Sequence, residues 1–68
     1  RIDELARLTA AIAALPPDQR TAVELKHLEG WPVDRIAAEM GRSAEAVGGL
    51  LRRGMAALRA ALAEGRGD

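Results

Sequence analysis

Val47, Leu51, Met55, Leu58 and Leu62 follow one another at steps of 4, 4, 3 and 4 residues. That spacing keeps one stripe of an α-helix apolar for about four turns, so the last third of the chain reads as a single long helix. A helix striped on one side must bury the stripe against something, and the only material is the chain ahead of it. Covalent and metal staples are excluded. The chain has no Cys, and its one histidine, His27, cannot supply the two to four ligands of a metal site. A domain of 68 residues buries only about 60% of the surface that its unfolded chain exposes. Close helix packing therefore has to supply the stability. The hydrophobic fraction is 49%, yet Trp31 is the sole aromatic residue. The core is then aliphatic, and the scarcity of aromatic and β-branched residues argues against a sheet.

Punctuation divides the chain into four helical segments. The first spans residues 2–14, with Ile2, Leu5, Leu8, Ile12 and Leu15 stepping by three or four along one face. Asp3 and Glu4 stand in its first turn, where carboxylates favour the helix dipole. It stops at Leu15-Pro16-Pro17, because a residue before proline is pushed out of the α region. The second spans 17–29, opened by Pro17 at a first helical position and closed by Gly30. Ala22, Leu25 and Leu28 share its inner face, with Val23 beside them. Trp31-Pro32 connects it to a short third segment, 33–40, in which Ile36, Ala37 and Met40 face inward. Gly41-Arg42-Ser43 makes a tight turn, and Ser43 is a good N-cap for the fourth segment, 44–64. The expected core is Leu5, Leu8, Ile12, Leu25, Leu28, Trp31, Ile36, Ala37, Met40, Val47, Leu51, Leu58 and Leu62. Leu50 falls off the stripe and reads as exposed, and residues 65–68 read as a frayed tail. Because the chain opens on Arg1 rather than Met, residues 1–64 read as one domain of a longer chain.

Little in the sequence points to catalysis. There is no Cys nucleophile, no Tyr and no glycine-rich phosphate loop, since Gly48-Gly49 lies inside a helix. His27 reads as a surface side chain, and the carboxylates are scattered. No metal, cofactor or small-molecule substrate is implied. No apolar run approaches the roughly 20 residues of a membrane span, and no signal peptide is present. A cytoplasmic protein is the expectation. Net charge is zero, with ten basic and ten acidic residues, which at first argues against a nucleic-acid binder. The distribution of charge along the chain points the other way. Residues 1–40 carry five basic against seven acidic residues, whereas residues 41–66 carry Arg42, Arg52, Arg53, Arg59 and Arg66 against Glu45 and Glu64.

A short helix, a turn containing Gly41 and a longer helix with a serine N-cap form a helix-turn-helix pattern. Spacing alone leaves open two bundle helices joined by a tight turn. Residue identities go further. Leu15-Pro16-Pro17-x-Gln19-Arg20 is followed by Leu28-Glu29-Gly30-Trp31 and by Ile36-Ala37-x-x-Met40-Gly41-Arg42-Ser43. Ala46-Val47 and Leu51-x-Arg53-Gly54-x-x-x-Leu58-Arg59 complete the run. This order and spacing, over about residues 8–62, resembles the fourth conserved region of the sigma-70 family, in particular its extracytoplasmic-function (ECF) group. The resemblance implies an all-α, four-helix domain with a helix-turn-helix formed by helices three and four and no wing. It also implies promoter recognition by an alternative sigma factor. The recognition helix would enter the major groove of the minus thirty-five element, another face would hold the β-subunit flap of RNA polymerase, and an anti-sigma factor is a possible further partner.

On that reading Ala44, Glu45, Gly48, Gly49, Arg52 and Arg53 face outward near the start of the last helix. Arg52 and Arg53 are placed for phosphates or guanine edges. Ser43 and the first-turn amides suit a phosphate, and Ala46 or Leu50 suits a thymine methyl. Arg35 and Arg42, with Arg20 and Lys26, are candidates for backbone contact. One departure stands out: where family members often carry lysine, serine and arginine, this chain has Gly48, Gly49 and Leu50. Two glycines cost a helix interior about 0.8–1 kcal/mol each relative to Ala. They fit either close approach to DNA or a surface that now receives a protein. Two other readings remain: a LuxR-type response-regulator output domain, and a sigma-like domain used mainly for protein interaction.

Overall fold

The computed structural model describes residues 2–66, with side chains as far as residue 63. The four expected helices form: α1 (Ile2–Ala13), α2 (Pro17–Val23), α3 (Val33–Met40) and α4 (Ala44–Arg66). No strand occurs among the described residues. The body is elongated, 40 × 19 × 16 Å, because α4 alone runs for 23 residues and the other three helices pack along it. Gly65 does not stop α4, which stays helical to Arg66. With the three preceding residues already helical, a lone glycine there costs only about 1 kcal/mol and does not break the helix. The remainder of the expected frayed tail, residues 67 and 68, lies outside the described residues.

The second segment departs from a plain α-helix. Beyond Val23 it widens into a π-helical turn, Glu24–Leu28, in which the Glu29 amide donates to the Glu24 carbonyl at 3.0 Å. Gly30 then takes a left-handed φ of 75°, and the Trp31 amide reaches back to the Leu25 carbonyl at 2.9 Å. The wider turn rotates the helix phase. Leu25 still packs against the α3–α4 core, but Leu28 swings outward and is 64% exposed. That corrects its assignment to the core.

The core consists of two clusters. Ile12, Leu15, Val23 and Leu58 form one between α1, α2 and α4. Ile36, Ala37 and Val47 form the other between α3 and α4, with Leu25, Trp31, Val33 and Met40 around it. Leu51 packs against both. Two further expectations need correction. Leu5, 66% exposed, and Leu8 lie outside the core, because the start of α1 diverges from the end of α4. An open gap of about 350 Å³ lined by Glu4, Arg7, Leu8 and Leu62 separates them. Conversely Leu50 is buried, at 7%. Since α4 is covered by three helices rather than one, its buried arc is broader than a single stripe.

Helices α2 and α4 approach closely at Gly54. A Cβ built there would stand 2.8 Å from Cγ2 of Val23 and 3.7 Å from the Cβ of Gln19. Val23 is β-branched and almost wholly buried, so it has little freedom to retreat. Gly54→Ala should therefore lower stability despite its better helix propensity, since overpacking costs about 1–3 kcal/mol against a propensity gain of about 1 kcal/mol. Gly48→Ala meets only the flexible end of Arg52, at 3.5 Å, and should raise stability by about 0.8–1 kcal/mol. Urea denaturation of the two variants should shift the midpoint in opposite directions.

Candidate nucleic-acid interface

The turn between α3 and α4 is set by backbone chemistry. Gly41 adopts φ 67°, ψ 36°, and the Arg42 amide donates back to the Ala37 carbonyl at 3.0 Å. This is the Schellman arrangement, for which a glycine at that position is favoured. Ser43 then starts α4 as expected: its Oγ accepts from the Ala46 amide at 3.0 Å, while its carbonyl accepts from the Val47 amide at 3.0 Å. The hydroxyl proton of Ser43 stays available as a donor, as do the amides of Ala44 and Glu45, which have no carbonyl one turn earlier in the helix.

Around this helix start runs a shallow groove of about 490 Å³ lined by Arg42, Ser43, Glu45, Ala46, Gly49, Leu50, Arg52 and Arg53. Seven of the ten side chains expected at the interface meet here. Ala44 is exposed at the first position of α4, and Gly48 sits beside Arg52; neither lines the groove. Arg35 also lies elsewhere, with its guanidinium carbon 3.8 Å from the ring centroid of Trp31. Trp31 is therefore half-buried, with one side on the core cluster and a cation on its ring. Arg20 is held by Glu24 at 3.0 Å, one turn along the same helix.

Leu50, expected as an exposed contact for a thymine methyl, does line the groove but is buried. Its position three residues after Val47 and four after Ala46 was the available signal. The glycine pair also has a geometric role. A Cβ on Gly49 would stand 3.2 Å from one guanidinium nitrogen of Arg53, and one on Gly48 would stand 3.5 Å from that of Arg52. Both arginines thus lean back one turn toward the start of α4, over surface that carries no side chain. Helical side chains incline in that direction, and here the lean brings two cations toward the helix start and its free amides.

The groove is polar and open. Among the described residues no group of His, Cys, Asp and Glu could hold a metal ion, no polar side chain is buried without a partner, and no helix is long and apolar enough to cross a membrane. Since the Ser43 cap fixes where α4 begins, Ser43→Ala should cost about 1 kcal/mol. Thermal unfolding measures that loss, and an unchanged midpoint would contradict the capping role.

No curated protein and no solved structure matches the chain. A family model does, and it is described as "Sigma-70, region 4"; it matches residues 5–58. The match reaches all four helices and includes the turn and the groove-forming half of α4. The response-regulator reading gives way to it. This chain belongs to the sigma-70 region 4 family, a family of DNA-binding helix-turn-helix domains rather than enzymes, through which sigma factors take part in promoter recognition at the start of transcription.

Proposed function

We propose that this domain reads the minus thirty-five promoter element with the first two turns of α4, as part of an ECF-type alternative sigma factor docked on the β-subunit flap of RNA polymerase. One observation carries the reading. Arg42, Ser43, Arg52 and Arg53 converge with Ala46 and Leu50 in a single groove at the start of the helix. Such a groove has cations and amides for phosphates, arginines that can bridge guanine O6 and N7, and apolar carbons for thymine methyls. The glycine pair fits the same purpose, because it leaves room for Arg52 and Arg53 to lie along the helix toward its start.

Zero net charge sets the mode of action. Non-specific attraction to DNA grows with the number of phosphates neutralised, and a neutral domain gains little from it. The domain therefore relies on polymerase to hold it at the promoter. The exposed Ile2, Leu5 and Leu28 leave apolar surface away from the groove, which suits protein contacts with polymerase or with an anti-sigma factor.

The decisive experiment is promoter-selective transcription by polymerase carrying the sigma factor with this domain, wild type against Arg52→Ala/Arg53→Ala. Each lost base or phosphate contact costs about 1–3 kcal/mol. The double variant should then reduce output from the cognate promoter by about tenfold or more while core binding is retained. Unchanged promoter choice and output would remove α4 from base reading and leave the protein-interaction alternative.

A further inference from the structure

We infer that Asp18 is a built-in competitor for the DNA backbone, a carboxylate from α2 that holds the groove cation Arg42 where a phosphate would otherwise take it. The inference rests on the reading of the α4 groove as a DNA surface and concerns how strongly that surface grips phosphate.

Asp18 lies in the first turn of α2 and Arg42 in the helix-turn-helix turn, 24 residues away, yet their side chains form an ion pair. Neither position belongs to the aliphatic core. The other nearby basic residue of α2, Arg20, is paired with Glu24, which leaves the Asp18 carboxylate to Arg42. The backbone at Arg42 is fixed by the hydrogen bond that its amide donates to the Ala37 carbonyl, so only the side chain can change partner. Both side chains are about half exposed, 43% for Arg42 and 51% for Asp18. An ion pair this wet is weak and exchanges readily.

A carboxylate and a phosphate present the same paired oxygens to a guanidinium. Asp18 therefore occupies, with respect to Arg42, the place of a phosphodiester. When the groove meets DNA, a phosphate that captures Arg42 must displace Asp18 and then lie close to its negative charge. One of the cations of the groove is thus cancelled in advance. Glu45, the acid that lines the groove, sits on α4 itself, where its place in the first turn already accounts for it through the helix dipole. Asp18 has the same dipole role in α2, but that role does not require it to reach Arg42.

The test is fluorescence anisotropy with a labelled duplex of arbitrary sequence, titrated over about 50 to 200 mM salt. Asp18→Asn should bind about two- to fivefold tighter at the low-salt end. Its plot of log affinity against log salt should steepen by about 0.9, the value of one further phosphate neutralised. Asp18→Glu should keep the wild-type slope, and in an Arg42→Gln background the gain from Asp18→Asn should fall by at least half. A strap that merely holds α2 to the turn would lower the unfolding temperature and leave the slope where it was. Asp18→Asn with an unchanged or shallower slope, or with weaker binding, overturns the inference. Arg52→Ala/Arg53→Ala in the same titration separates the two proposals. If that variant loses affinity while Asp18→Asn changes nothing, the inference alone fails. If it binds as well as wild type while Asp18→Asn steepens the slope, the reading of α4 fails and the competition at Arg42 stands. Absence of duplex binding by every variant overturns both.

Discussion

The contact between Val23 and Gly54 is the one on which the rest of this small fold depends. With no disulfide and no metal-binding cluster among its described residues, the chain can be held only by backbones brought close enough for aliphatic side chains to interlock. At Gly54 the missing Cβ lets α2 settle onto α4 until Val23 fills the space. Burial in such a core is worth about 25 cal/mol for each square ångström of apolar surface removed from water, and the dispersion part of that gain falls steeply with separation. A shift of even half an ångström at this crossing would weaken both α2 and the cluster of Ile12, Leu15 and Leu58 behind it. The groove depends on it as well, because α2 also carries the carboxylate that meets Arg42.

Most of the fold could be read from the residues because its signals are local. Pro17, Gly30, Gly41 and Ser43 each act on their own turn of backbone, and each lies where its chemistry requires: two left-handed glycines, a proline at the first helical position and a serine cap. Periodicity found Ile12, Ile36, Ala37, Val47 and Leu58 for the same reason. The misplaced residues are those whose environment depends on something distant. Leu5 and Leu8 carry a correct stripe, but the helix they would cover turns away from them. Leu28 is turned out by one π-helical turn, which no spacing rule anticipates. Leu50 is buried because three helices, not one, close over α4.

The grouping of the candidate residues was legible to a similar depth. Residue types near the start of α4 identified the cations and the cap, and seven of the ten proposed positions share one groove. Arg35 lies away from the groove because its guanidinium rests on Trp31, four residues earlier across Pro32 and the first turn of α3. Read as letters, the glycine pair fitted either close approach to DNA or a surface that receives a protein. In three dimensions it is the surface over which Arg52 and Arg53 fold back, with each guanidinium near the glycine one turn earlier.

The division of the core into two clusters that share Leu51 has a consequence for how the molecule moves. The backbone of α4 is the beam common to both clusters, and the second helical segment touches each, through Val23 and through Leu25. Free energy for local opening need not be uniform along such a body. Opening at the α3 end would expose Ile36, Ala37 and Val47 without first separating Ile12 from Leu58. A load applied at one end, by a nucleic acid or by a protein, reaches the other mainly as bending or stiffening of α4 at Leu51. The domain is in this respect two short levers on one shaft, and that single leucine is their fulcrum.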